Sequence, residues 1–326
     1  MQAIPDEYDE KDDDEVAKLQ PSFQAQSWDG FHSAHSSGNF FKPRRYIMKC
    51  FPCILDHCAL KSQEEMDSFA LPRRLVLEVG CGSCSSCIPI LKHCSENTTL
   101  LACDSSAVAV EVCKSVIESL PDDAPRASSN FGVFVSDPSL DSDETHSTFA
   151  QDVKDAHMQL LKESTTNNNH IIGLADVVLM VFVLSAVPPK RVHRFMKQIY
   201  GATKHGGKVC FRDYALYDLP MMRLKQVGNS PRLYERGDGT LSRFFDLETV
   251  KVIFEEVGFV EEELRYATVF NDNRKTGERL KRVFVCSCSL QKMVGLSLEM
   301  PPLLHNVAAP SSTGISFGII VATSHF

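Results

Sequence analysis

The stretch Leu75-Val-Leu-Glu-Val79-Gly80-Cys-Gly82 constrains the fold of this chain more than any other. An apolar run of strand length, 75–79, passes through two glycines into a helical pattern over 84–93. Glycines let the backbone turn tightly and approach a ligand, and the N–H groups at the start of such a helix face the crevice at the carboxyl edge of the sheet. A strand that turns directly into a helix is half of a βαβ unit and points to a parallel sheet. The rhythm continues downstream: 98–103 and 131–136 read as strands, with a helix over 107–119 between them. The run 175–184, with valine at 177, 178, 181 and 183, reads as a central strand covered on both faces. Its helix spans 191–200, Gly206-Gly207 is a turn, and 208–212 is the next strand. Leu247, Val250, Phe254 and Val257 fall at helical spacing between Asp246, a good N-cap, and Gly258, and strands over 259–266 and 282–288 close the sheet. The expected fold class is α/β: a mostly parallel sheet with helices on both faces.

Composition sets the remaining bounds. The chain has 326 residues, and 34 Lys+Arg against 42 Asp+Glu leave a formal charge of −8. Residues 1–16 alone carry eight carboxylates and one lysine, so the rest of the chain is nearly neutral and can still gather bases on one face for RNA. The reading divides the chain into a disordered acidic head at 1–26, an aromatic and basic lead-in at 27–70 that packs on or covers the main domain, the α/β domain at 71–291, and a disordered tail at 292–326. A Ser-, Asp- and Asn-rich surface insertion is expected at 138–170, with one helix near 150–161. Nothing at the start of the chain reads as a secretory signal or a transit peptide, so the twelve cysteines are expected as thiols in the cytoplasm, with the nucleus also open. The apolar run 314–323 is too short for a bilayer, so no membrane partner is expected.

Two details narrow the ligand of the glycine turn. Asp104 ends the second strand 22 residues beyond Gly82, where an acid takes both hydroxyls of a ribose, in a dinucleotide or in S-adenosylmethionine. The third position of G-x-G-x-x-G is Ser85, however, and Glu78 precedes the glycines. A carboxylate there repels a pyrophosphate and suits the ammonium of a methionine moiety, so adenosylmethionine is favoured over NAD, with an ordinary glycine turn as the alternative. Cys81, Cys84 and Cys87 lie on the turn and the first helical turn without a second cysteine pair at ligand spacing nearby; no metal is expected there, and Cys286 and Cys288 read as core residues. The segment after the fourth strand, Val181-Phe182-Val-Leu-Ser185-Ala-Val187, lacks the Asn/Asp-Pro-Pro-aromatic clamp of amino-group methylases, and Cys210 is mid-strand, which disfavours attack on a pyrimidine carbon. Phe211-Arg212-Asp213-Tyr214, Met222-Arg223-Leu-Lys225 and Tyr234-Glu-Arg236 place guanidinium, carboxylate and aromatic groups where a flat polar acceptor and its phosphates would lie, or in a salt-bridged loop.

At these residues the chain resembles the class I, Rossmann-like methyltransferases that make 3-methylcytidine in the anticodon loop of tRNA. The likeness runs from Trp28 to about Leu290 and rests on Trp28-Asp29-x-Phe31, Phe40-Phe41-Lys42-x-Arg44, Glu78-x-Gly80-Cys81-Gly82, Cys103-Asp104, Phe182-Val-Leu-Ser-Ala-Val187, Phe211-Arg-Asp-Tyr214 and Arg236-x-Asp238-Gly-Thr240. It implies adenosylmethionine as cofactor, with Trp28 helping to cover it, Glu78, Gly80 and Gly82 at the methionine end, Asp104 on the ribose, Asp137 on the adenine and Phe182 beside them. It implies Arg212, Asp213 and Tyr214 in the acceptor pocket; because the methylated ring is cationic, Asp213 is expected to face the cytosine amino group and Tyr214 or Phe182 to stack. Lys42, Arg44, Arg45, Arg223, Lys225 and Arg236 would meet tRNA, with an aminoacyl-tRNA synthetase or another accessory protein as a further partner. The chain departs from the family pattern at Cys84, where a glycine is usual, at His32, where a tyrosine is usual, and at Pro43-Arg44-Arg45-Tyr46. Protein or small-molecule methylation on the same fold, and a noncatalytic RNA-binding scaffold, stay open as alternatives.

Overall fold

Among the residues described by the computed structural model (25–36, 42–54, 74–93, 98–120, 130–140, 148–163, 174–228, 230, 232–272, 277 and 279–291), the apolar runs become strands and the amphipathic runs become helices. The strands are β1 (Arg74–Val79), β2 (Thr98–Asp104), β3 (Phe131–Val135), β4 (Ala175–Val181), β5 (Thr203–Tyr214), β6 (Lys225–Gln226), β7 (Leu233–Glu235), β8 (Leu241–Arg243), β9 (Phe259–Asp272) and β10 (Arg279–Gln291). The helices are α1 (Ala25–Ala34), α2 (Ile47–Cys50), α3 (Cys87–Leu91), α4 (Ala107–Glu118), α5 (Phe149–Glu163), α6 (Val192–Ala202) and α7 (Leu247–Glu255). Seven strands form one sheet in the order β3-β2-β1-β4-β5-β10-β9. The first five are parallel, and β10 and β9 pair antiparallel at the edge beyond β5. The order reverses between β1 and β4, which opens a crevice at the carboxyl ends of those strands.

Alternation along β1 sends its side chains into two cores. Leu75, Leu77 and Val79 pack with Phe149 and Val153 of α5, Phe195 and Ile199 of α6, and Val250 and Phe254 of α7. Val76 faces the other way, toward Ile47, Phe51, Ile90 of α3 and Cys113 and Ile117 of α4. The expected fold class therefore holds. Helix boundaries follow local chemistry: Ser106 caps α4 through Ala109 N–H at 3.1 Å, and Asp246 caps α7 through Thr249 N–H at 2.8 Å. No helix among the described residues is long and apolar enough to cross a membrane.

Several expectations are corrected. The helix expected over 84–93 shrinks to α3, because Cys84 takes a φ of 58° and residues 82–86 stay in turns. β4 stops at Val181 because Phe182 is left-handed, with φ 63°. Gly206-Gly207 lies inside β5 as an irregularity, between the pairs Ala175↔Thr203 and Val177↔Lys208. There a Cβ on Gly207 would meet two backbone oxygens at 2.8 and 2.9 Å. The helix assigned to a surface insertion is α5, whose Phe149, Val153 and Leu160 are buried in the main core, so it is a crossover helix of the domain; 141–147 and 164–173 lie outside the described residues. The segment after β5 is not simple loop: β6, β7 and β8 form a second, three-stranded sheet. Cys84 and Cys113, expected as thiols, are bonded to each other, joining the glycine turn to α4.

The lead-in is present as α1 and as 42–54; Phe40, Phe41, the acidic head before Ala25 and the tail at 292–326 lie outside the described residues. The chain divides after Met293, and every described residue belongs to the first unit.

Candidate functional site

The glycine turn is shaped by two close approaches. Gly80 has φ 67°, and a Cβ there would lie 2.5 Å from Val183 Cγ2, so this backbone and the turn after β4 touch with no room for a side chain. Gly82 has φ 51° and donates its N–H to Asp104 Oδ2 at 2.9 Å, while Ser106 N–H donates to Oδ1 at 3.0 Å. Each Asp104 oxygen keeps a lone pair for a further donor. Burial pushes the Asp104 carboxyl above its ordinary range, and the two N–H groups and His32 pull the other way. His32 itself is pushed down by burial, against the pull of Asp104 and Asp29.

Helix α1 covers this end. Asp29 Oδ1 accepts from Ser106 Oγ at 2.5 Å and from Val108 N–H at 3.4 Å, which sets a carboxylate at the N-terminus of α4, where the helix dipole favours it. The docking brings Trp28, Phe31 and His32 over the crevice. The cavity measures about 560 Å³, within the range of small-molecule sites.

The opposite wall is aromatic and cationic. Phe182 stacks on Tyr214 with ring centres 4.7 Å apart and planes 26° apart. Arg44 lies 5.2 Å from the centre of the Phe182 ring, and Arg236 lies 5.3 Å from that of Tyr214 and 5.9 Å from that of Trp28. Arg44 is held by its own N–H on Ser85 O at 2.7 Å and by Nη1 on Ser86 Oγ at 3.1 Å. Arg212 is 2% exposed, sandwiched 4.2 Å from Phe284 and 5.0 Å from Tyr46, and donates through Nη1 to Cys286 Sγ at 2.9 Å. Its Nε has no partner among the described residues.

The structure brings most of the expected residues together. Trp28, Gly80, Gly82, Asp104, Asp137, Phe182, Arg212, Tyr214, Lys42, Arg44 and Arg236 all line the one cavity. Asp213 does not. Successive residues of a strand point to opposite faces, so with Arg212 and Tyr214 on the cavity, Asp213 turns inward. It is 0% exposed and accepts Ser185 N–H and Tyr214 N–H, each at 2.9 Å, fastening the turn after β4 to the end of β5. Burial raises its carboxyl from 3.8 to about 6. Glu78 is also sealed off beneath the turn: Cys87 Sγ donates to Oε2 at 2.7 Å, and Oε1 is buried without a partner among the described residues. Arg45, Arg223 and Lys225 are exposed outside the cavity, Lys225 standing 3.9 Å from Glu235.

Sequence reasoning missed His32, Tyr46, Arg282 and Phe284, which also line the cavity. Arg282 and Phe284 share one face of β10 at period two, a signal present in a run read only as a sheet-closing strand. Arg282 makes a bidentate pair with buried Asp218, at 2.8 to 3.1 Å, and Asp218 also accepts Val283 N–H at 2.9 Å.

The residues fit a nucleoside-bearing cofactor at the end of β1 and β2. Asp104 and Asp137 line that half of the cavity, and Gly80 leaves the backbone bare where a Cβ would collide with Val183. With its strand order and this crevice, the molecule is a class I, adenosylmethionine-dependent methyltransferase. The family described as "Methyltransferase domain" matches residues 60–264. A solved structure of a SAM-dependent methyltransferase from Anabaena variabilis superposes with a TM-score of 0.51 at 10% identity, covering 82% of this chain and 95% of that one. The chain is 31% identical over 260 residues to "tRNA N(3)-methylcytidine methyltransferase Mettl2" of Drosophila melanogaster, covering 79% of this chain and 68% of that protein. It is 30% identical over 271 residues to "tRNA N(3)-cytidine methyltransferase METTL6" of Homo sapiens, covering 83% and 81%. The chain belongs to this family of tRNA N(3)-cytidine methyltransferases.

Proposed function

We propose that this protein methylates N3 of a cytidine in the anticodon loop of tRNA, in the cavity between the Gly80–Gly82 turn and the Phe182–Tyr214 stack. The observation that carries the reading is that one cavity holds two chemistries: carboxylates at the β2 and β3 ends, and a stack of two rings flanked by Arg44 and Arg236 opposite them. Adenosylmethionine, when bound, supplies an electrophilic methyl group on a sulfonium. Asp104 and Asp137 would hold its nucleoside, and Trp28 and His32 would close over it.

Cytosine N3 carries an in-plane lone pair and no proton, so its attack needs no general base. What the chain contributes is alignment and exclusion of water. The Phe182–Tyr214 pair offers a flat face for an unpaired base, and aromatic faces tolerate the positive charge that the ring gains. Arg212, held between Phe284 and Tyr46 with no carboxylate bonded to it among the described residues, leaves a positive charge on the acceptor side of the cavity, and Lys42 and Arg236 line the same cavity. Asp213 enters as a positioning residue that fixes Ser185 and Tyr214, not as the group that meets the base. The modest basic surface of the cavity also supports assisted tRNA binding, by a synthetase or another accessory protein.

The test is methyl transfer to tRNA transcripts from labelled adenosylmethionine. Replacing the anticodon-loop cytidine by uridine should abolish incorporation, and Tyr214→Ala and Phe182→Ala should lower turnover while calorimetry still detects the cofactor. Incorporation that survives the cytidine replacement would refute the assignment.

A further inference from the structure

Five cysteines from three distant parts of the sequence meet over the β5–β10 ladder. Cys210 and Arg212 share one face of β5 and stand directly opposite Cys288 and Cys286 of β10. The lead-in lays Cys50-Phe-Pro-Cys53 across these two cross-strand pairs. Cys50 shares the Arg212 guanidinium with Cys286, its sulfur 3.5 Å from Nη1. Cys53 sits over the other pair, its sulfur 3.4 Å from Cys210 Sγ and 3.8 Å from Cys288 Sγ, and the three sulfurs all lie within 4.8 Å of one another.

We propose that Cys53, Cys210 and Cys288 bind a structural zinc ion, with Glu262 completing the coordination. In a tetrahedral thiolate site the metal–sulfur bond of about 2.3 Å sets neighbouring sulfurs about 3.8 Å apart, close to the separations of 3.4 and 3.8 Å seen here. Thiol ligands from three separate segments also select zinc over the hard cations that prefer oxygen.

The fourth donor is delivered by a break in the sheet. Pairing of β9 with β10 shifts between Cys288↔Glu263 and Ser289↔Glu261, so Glu262 is left over as a bulge residue. A bulge re-aims a side chain, and this one brings Glu262 Oε2 to 3.6 Å from Cys288 Sγ. Lys208 Nζ lies 2.7 Å from the same oxygen, and Arg212 stands two residues beyond Cys210 along β5, so cations flank the negative charge that three thiolates and a carboxylate carry around a divalent ion. Cys210 and Cys288 are buried, while Cys53 is half-buried and leaves a path for the metal to enter.

The site would add metal–ligand bonds to the packing of Ile47, Phe51 and Ile54 that already holds the segment carrying Lys42, Arg44 and Tyr46 against the strand carrying Arg212. Metal binding needs thiolates, so loading releases protons to solvent with no change of oxidation state. The expectation of no metal rests on the spacing of Cys81, Cys84 and Cys87 and on the core reading of Cys286 and Cys288; Cys53, Cys210 and Cys288 are separated by 157 and 78 residues and share no spacing motif.

The full chain, purified with reductant in zinc-containing buffer and then desalted, should retain one zinc per chain by elemental analysis. X-ray absorption on this unmutated protein should show three sulfur ligands and one oxygen. Reconstitution with cobalt(II) should give the visible d–d bands and thiolate charge-transfer band of a tetrahedral site. Cys53→Ser and Cys288→Ser should lose those bands, and Cys50→Ser, on the same segment, should keep them. Absence of zinc and cobalt signals from folded wild-type protein would overturn the proposal, as would a disulfide peptide joining Cys53 to Cys210 or Cys288, or equal loss in Cys50→Ser.

Discussion

Gly80→Ala tests whether the turn after β1 and the turn after β4 meet as closely as the structure places them. Two costs are separable. An L-residue at φ 67° costs about 1–2 kcal/mol, and a Cβ placed 2.5 Å from Val183 Cγ2 adds about 1–3 kcal/mol of overpacking, so the variant should lose about 2–5 kcal/mol. Val183→Ala removes both γ-carbons, the atoms at 2.5 and 3.1 Å, and leaves only Val183 Cβ at 3.4 Å, an ordinary contact. The double variant should therefore recover the steric part, about 1–3 kcal/mol, and keep the backbone part. Urea unfolding of the four proteins measures the cycle, and calorimetry with adenosylmethionine should show the same ordering. If the two substitutions are additive to within about 0.5 kcal/mol, the loops do not touch at this point and the packing argument fails.

Three further outcomes follow from the site. Asp213→Asn should flatten the pH dependence of stability: the folded chain holds this proton up to about pH 6 against 3.8 unfolded, so its contribution is fully present below 3.8 and lost as pH rises through about 6, an effect of about 3 kcal/mol. Parallel thermal melts of wild type and variant across that window would read it, and identical profiles would remove Asp213 as the cause. Asp218→Ala leaves the partly exposed Arg282 unpaired and Val283 N–H without its acceptor, and should destabilise by about 3 kcal/mol in chemical denaturation, whereas a loss under about 1 kcal/mol would deny the pair its fastening role. Lys42→Ala should leave cofactor binding intact and reduce the slope of log affinity for tRNA against log salt by about 0.7–0.9, and an unchanged slope would place Lys42 off the RNA.

What could be read before the structure was what repeats with a period. Strands β1, β2 and β4 and helices α4 and α7 were legible because alternating or 3.6-spaced apolar residues are decided locally. Helix α5 reads as part of an insertion because its buried Phe149, Val153 and Leu160 are diluted by Gln, Asp and Lys on the other face, inside a polar stretch. The short strands β6 to β8 offered two or three residues each, too few for a period to show. In the site, the residue types were legible and their facing was not. The Phe-Arg-Asp-Tyr string marks one wall of the cavity, but only the pleat of β5 decides that Arg212 and Tyr214 reach it and Asp213 does not. Arg282, Phe284 and His32 reach it through pairing and docking far along the chain, which no local pattern records.

The account stands or falls on the identity of the methylated atom. Mass spectrometry of nucleosides digested from tRNA, after incubation with the protein and methyl-labelled adenosylmethionine, should find the label in 3-methylcytidine, with the signal lost in Asp104→Ala. Label in a different nucleoside or in protein, or no label while tRNA and cofactor both bind, would contradict it.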